Sequence, residues 1–126
     1  MTEDRQNAGD RRFGEGLRVC VFACIGSSNE SICKEINQKI VSAIKMNIDG
    51  LSPKTWEYPL DDGKGGEGIT LVQPLVESFI AWDTWPLLRG AYLFVVSCKE
   101  YNPDIIINIL EEYFEVKQQD IILTQI

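Results

Sequence analysis

The chain is expected to fold as an α+β two-layer sandwich, a mainly antiparallel sheet with two helices on one of its faces. Three observations predict it. Apolar and β-branched runs of strand length outnumber amphipathic helical stretches, in the order β-α-β-β-β-β-α-β. Both helical stretches are long enough to cover a sheet face. A length of 126 residues allows one hydrophobic core and leaves no room for a second.

Residues 1–16 are polar, charged and glycine-containing with no apolar period, which predicts a disordered N-terminal tail and a folded domain over 17–126. Leu17 to Ile25 (LRVCVFACI) is an apolar run closed by Gly26 and two serines, a central or well-covered strand. Ser28 and Asn29 can cap a helix, and Ile32, Ile36, Ile40, Val41 and Ile44 recur at helical spacing opposite Lys34, Glu35, Gln38 and Lys39. That helix is expected over about 29–46. Lys54 to Leu60 (KTWEYPL) carries a weaker strand signal ending at Pro59, which suits a sheet edge. The glycine-rich stretch Asp61 to Gly68 (DDGKGGEG) lacks the Gly-Lys-Ser/Thr ending of a phosphate loop and the twelfth-position glutamate of a calcium loop, so it reads as a turn.

Ile69 to Val76 and Phe79 to Trp82 are apolar stretches flanking Glu77-Ser78, and Ala91 to Cys98 (AYLFVVSC) is the strongest strand candidate. Thr84-Trp85-Pro86 and Arg89-Gly90 read as a turn between them. Asn102, Pro103 and Asp104 spell a helix start, with Ile106, Ile109, Leu110, Tyr113 and Phe114 as its buried face and Glu111, Glu112 and Glu115 on its wet face. Residues 120–126 complete the sheet.

Composition narrows the function. Twelve basic against nineteen acidic residues give a net charge of -7, which repels nucleic-acid backbones and anionic membrane surfaces. No apolar run approaches the roughly 20 residues that cross a bilayer, and no signal-peptide pattern opens the chain, so a cytoplasmic protein is expected. Cys20, Cys24, Cys33 and Cys98 lack zinc-site spacing and there is no histidine, so no metal site is expected and the thiols read as reduced and mostly buried. The absence of histidine also excludes Ser-His-Asp and Cys-His nucleophile systems. Acid and base roles fall to Asp, Glu, Cys, Lys or Tyr.

From Gly68 onward, Gly68-Ile69-Thr70, Glu77-Ser78, Asp83-Thr84-Trp85-Pro86 and Cys98 stand in ungapped register with a known signature, Gly-x-Ser, Glu-Ser, His-Thr-Trp-Pro and a strand-ending cysteine. The chain thus resembles the small prokaryotic S-adenosylmethionine decarboxylases, which act in polyamine and spermidine biosynthesis and make a pyruvoyl group from their own serine. The resemblance implies that Ser78 is the pyruvoyl precursor, Glu77 the new C-terminus after self-cleavage, Thr70 the hydroxyl that assists processing and Cys98 the proton donor in decarboxylation. It implies a small amino-acid-type substrate such as S-adenosylmethionine and a homodimer, since family members assemble through their sheets.

The resemblance also implies departures. Asp83 stands where the family has histidine, removing the imidazole that would titrate near neutral pH, and an aspartate replaces it as base only in suitable surroundings. Cys20 stands where the family has an acidic residue in the first strand, and Lys64 where it has an aromatic that stacks on adenine. Two functions follow: a pyruvoyl-dependent decarboxylase, and a non-catalytic homologue that uses the same fold to bind a ligand or partner. Read from the residues without the family, Ser78 is a strand serine, Cys98 a small buried hydrophobe, Thr70 an ordinary strand residue, and Asp83 either a tuned base or a solvated turn residue. Trp82 and Trp85 read as core and interface anchors.

Overall fold

Side chains alternate between the two faces of a strand, so a strand covered on one face buries every second residue. The long strands do this throughout. Cys20, Phe22 and Cys24, then Leu71, Gln73 and Leu75, Ile80, Trp82 and Thr84, and Ala91, Leu93, Val95 and Ser97 are all buried on one face. The computed structural model describes residues 16–59 and 67–124, with backbone only for 118–124. Its elements are β1 (Leu17–Ile25), α1 (Glu30–Ala43), β2 (Lys54–Glu57), β3 (Ile69–Leu75), β4 (Ser78–Trp85), a 3-10 turn (Pro86–Leu88), β5 (Gly90–Ser97), α2 (Pro103–Leu110) and β6 (Glu115–Thr124). They form a six-stranded sheet in the order β2-β3-β4-β5-β1-β6, with every described pair antiparallel.

The α+β two-layer sandwich read from the sequence is the fold observed. Both helices share a single core with the buried sheet face, to which α1 contributes Cys33, Ile36, Ile40 and Val41 and α2 contributes Ile106 and Leu110. Fully burying a large apolar side chain stabilises by about 1.5–3 kcal/mol each. The bulkiest, Trp82, is wholly buried and donates its indole N–H to Asn37 Oδ1 at 2.7 Å, so its polar end is satisfied inside the core.

Several boundaries follow the sequence closely. β1 spans the expected residues and lies between β5 and β6, and β2 is an edge strand. Asn29 caps α1 by accepting from Ile32 N at 2.8 Å, and Asn102 caps α2 by accepting from Asp104 N at 3.0 Å. Other boundaries differ, among them the end of β2 at Glu57 and the start of β6 at Glu115. The first helix stops at Ala43 instead of running to Met46, because Lys45 takes a left-handed conformation and Met46 N bonds to Val41 O at 3.0 Å. β4 continues through Asp83 and Thr84 to Trp85, where a turn was expected. Thr84 Oγ1 accepts from Ile69 N at 2.8 Å and prolongs the pairing up to the residue before Pro86, which favours extended backbone.

The second helix ends at Leu110, short of the expected Tyr113 and Phe114, and β6 begins at Glu115, which therefore is no helix residue. Tyr113 N and Phe114 N both bond back to Leu110 O at 2.9 Å, closing the helix in a turn that drops Phe114 into the core beside Trp82. Phe114 fits there because Gly26 has no side chain. A Cβ at Gly26 would stand 3.1 Å from the Phe114 ring, and its φ of +145 disfavours any other residue.

Candidate functional site

β3 and β4 form a hairpin whose two turn residues are Val76 and Glu77, with Leu75 paired to Ser78. Ser78 therefore opens β4, and its other cross-strand neighbour is Ser97, the last residue of β5. Cys98 follows directly. Its backbone N–H donates to the Glu77 carbonyl oxygen at 3.3 Å, and its thiol reaches the same oxygen at 3.4 Å. The carbonyl of the Glu77–Ser78 peptide bond thus sits under the N–H and Sγ of Cys98. Ser97 steadies this corner, since its buried hydroxyl accepts from Lys99 N at 2.9 Å across the intervening Cys98.

The structure therefore brings together Glu77, Ser78 and Cys98. Cys98 is exposed, whereas Cys20, Cys24 and Cys33 are buried. Burial pushes the Cys24 and Cys33 thiols up to about 12, which keeps them protonated and inert, and it raises Cys20 in the same direction. The expectation of a buried thiol thus fails at Cys98, the one cysteine placed beside the candidate bond.

Thr70 and Asp83 lie elsewhere. They are direct cross-strand partners on β3 and β4, on the sheet face that the helices leave open. Asp83 is five positions along β4 from Ser78, about 17 Å at the rise of an extended strand. Tyr58 and Thr70 share a hydrogen bond between their hydroxyls at 3.1 Å, and Trp85 Nε1 donates to Asp83 Oδ2 at 3.2 Å. Asp83 is a half-buried strand residue, which removes the solvated-turn reading. Next to this cluster, Ala23, Ile25, Trp85, Leu88 and Tyr92 line a mainly apolar cleft of about 310 Å³.

Other sequence-stated positions resolve as structure. Trp82 is core, and Thr84 is a strand-extending hydroxyl. Cys20 lies fully buried on the helix-covered face, so it lines no site on the open one; the first-strand residues there are Val19, Val21, Ala23 and Ile25. Lys64 and nearly all of the N-terminal segment 1–16 lie outside the described residues. Two participants had no signal in the sequence. Tyr58, the residue after the edge strand, reaches Thr70, and Asn47 binds the hairpin turn through its backbone, accepting from Val76 N at 2.8 Å and donating to Glu77 Oε1 at 2.9 Å.

Comparison with known proteins adds to this geometry. The family model described as S-adenosylmethionine decarboxylase matches residues 21–124. No curated protein gives a match. Among solved structures, the crystal structure of the adenosylmethionine decarboxylase from Aquifex aeolicus VF5 is similar, with a TM-score of 0.62 at 20% identity over 89% of this chain and 93% of that one. That likeness concerns the fold. Among the described residues, no helix is long and apolar enough to cross a membrane.

Proposed function

The chain belongs to the S-adenosylmethionine decarboxylase family, and on that premise we propose that it is a self-cleaving, pyruvoyl-dependent decarboxylase of a small amino-acid-type substrate. The observation that carries the reading is the Cys98 N–H and thiol on the Glu77 carbonyl oxygen. Ser78 is the next residue. Attack of its hydroxyl on that carbonyl carbon puts negative charge on the oxygen that the N–H faces, the arrangement that stabilises acyl transfer.

Ser78 Oγ forms an ester with the Glu77 carbonyl as the Glu77–Ser78 C–N bond breaks, and the freed nitrogen takes the hydroxyl proton. A base then removes the Ser78 α-proton, and elimination expels Glu77 as a new C-terminal carboxylate. Water replaces nitrogen on the remaining alkene carbon, releasing ammonia and leaving a ketone at the new N-terminus. The residues present fit that group: a two-residue turn presents the bond, and Cys98 lies beside it as the donor of a proton to product carbon. When present, the pyruvoyl ketone withdraws the electrons that the departing carboxylate leaves behind.

The base is Asp83 under this reading, and the separation of about 17 Å along the strand keeps it from its own Ser78. A two-fold homodimer through the open sheet face would bring the Asp83 and Thr70 end of one copy over the Ser78 and Cys98 end of the other. The open face is rich in apolar and aromatic groups, among them Ile25, Phe79 and Tyr92, which supports such an assembly.

One observation favours a second reading, a non-catalytic homologue that binds a ligand or partner. By the resemblance Asp83 stands where the family has histidine, and one of its oxygens accepts the Trp85 indole N–H. The intact mass of freshly purified, denatured protein separates the two. Fragments of 77 and 49 residues (126 − 77), the second with a blocked N-terminus, are expected for the enzyme. A persistent 14.3 kDa chain would leave no electron sink, remove the decarboxylase reading and turn the search to binding partners.

A further inference from the structure

We infer that the connector following α1, residues Lys45 to Asn47, is a positioning element for chain scission and that the Glu77 side chain is the group it grips. The inference rests on the scission reading above and assigns a role to groups outside the nucleophile, the carbonyl and Cys98.

The connector is fixed to the helix. Lys45 is left-handed with φ 57, and Met46 N is tied to Val41 O at 3.0 Å. From that anchor Asn47 makes two bonds to the hairpin turn, accepting from Val76 N at 2.8 Å and donating its own N–H to Glu77 Oε1 at 2.9 Å. The same connector holds the end of β5. Lys99 Nζ donates to Lys45 O at 2.6 Å, and the Ser97 hydroxyl points at Met46 Sδ at 3.6 Å. The two sides of the candidate site, the Glu77 carbonyl and the Cys98 N–H that faces it, are thus both referred to one short segment.

The turn needs such outside support. Neither Val76 nor Glu77 has a positive φ, so this two-residue hairpin is not one of the primed turns whose twist matches the flanking strands. A carboxylate accepting a backbone N–H is a charge-assisted bond of the stronger kind. It sits on the acyl residue itself, so it fixes the carbonyl carbon that the Ser78 hydroxyl must approach, and it still holds Glu77 once the chain is cut. Small displacements of a reacting atom cost large factors in rate, which is how a grip on a non-reacting group bears on scission.

The test compares Glu77→Ala, which removes the acceptor, with Glu77→Gln, which keeps an oxygen for Asn47 N–H. Scission is followed by intact mass over time and normalised to folded protein by circular dichroism. Glu77→Ala is expected to split about tenfold or more slowly, in line with losing a hydrogen bond to a charged group, with Glu77→Gln recovering most of that rate. A purely structural role would lower the melting temperature of Glu77→Ala and leave its rate per folded molecule unchanged. Glu77→Ala splitting at the wild-type rate, or both variants equally slow, overturns the inference. Should Glu77→Ala not fold, Asn47→Pro removes the amide N–H and keeps the carbonyl that Val76 uses, and wild-type scission in it overturns the inference equally. A wild-type chain that never splits is a different result, which removes the scission reading and this inference with it.

Discussion

The two faces of the sheet are both apolar, yet the described residues cover only one of them. On the helix side, Phe22, Ile80, Trp82, Leu93 and Val95 are wholly buried, and the polar tip of Trp82 is matched to Asn37. On the other side, Phe79, Tyr92 and Ile25 stand 38%, 43% and 42% exposed, with Trp56 on the edge strand at 43%. An antiparallel sheet with one wet face ordinarily alternates apolar and polar residues along each strand. β1 and β5 do not, since Val19, Val21, Ala23, Phe94 and Val96 lie on the uncovered side. The helices thus cover one of two apolar faces that this sheet presents. The candidate residues are divided in a related way, Thr70 and Asp83 on the open face and the Glu77–Ser78 bond at the end of the hairpin.

The largest effect belongs to the covered face. Trp82→Ala is expected to lower unfolding stability by about 3–5 kcal/mol, the range for deleting a buried aromatic. Trp82→Phe costs less but leaves Asn37 Oδ1 without its donor, a loss of about 1–3 kcal/mol for an unsatisfied buried group. Urea unfolding of the three proteins measures both. Trp82→Ala within 1 kcal/mol of wild type would mean that the helix side is not the organising core, and the contrast between the faces would collapse.

The next largest effect belongs to the open face. Phe94→Glu puts a carboxylate in the middle of it, opposite Val21 and Ala81, where it remains solvated in a single chain and is buried in a sheet-to-sheet dimer. The variant is expected to remain folded, to weaken self-association at least about a hundredfold by light scattering, since burying an unpaired charge is costly, and to stop scission although Glu77, Ser78 and Cys98 are untouched. A wild-type protein that is monomeric at 14.3 kDa and still splits would break the link between open face and site.

These contrasts were unequally legible in the sequence. The covered core was readable, because period-2 and period-3.6 patterns mark whatever one chain buries against itself. Asn102-Pro103 announced the start of α2, whereas its end did not show, because Tyr113 and Phe114 continue the apolar period while the chain has already turned. What stops the helix is the space beside Gly26, a contact distant in sequence. At the site, Glu77, Ser78 and Cys98 were found through a family resemblance and do come together. Thr70 and Asp83 do not join them, since strand register places odd and even neighbours by face and by distance, which a linear motif does not display. Asn47 left no trace at all, because it acts through its N–H and carbonyl, which every residue but proline has.

The smallest expected effect returns to the covered face and depends on pH. Burial pushes the Cys24 and Cys33 thiols from 9.0 up to about 12. In the unfolded chain both titrate near the ordinary value, so below about pH 7.5 the two states hold the same thiol protons and stability is indifferent to pH on their account. Between about pH 9 and 12 the folded chain keeps protons that the unfolded chain has released, so stability falls as pH rises. Burial raises Tyr101 as well, and it acts in the same direction at higher pH. Near pH 10 the loss should be about 1 kcal/mol per thiol. Comparing urea midpoints at pH 8 and pH 10 under reducing conditions, wild type should lose more than the Cys24→Ala, Cys33→Ala double variant. Equal losses in wild type and double variant would mean that the space between β1 and α1 admits water, and that the covered face is less closed than the open one is exposed.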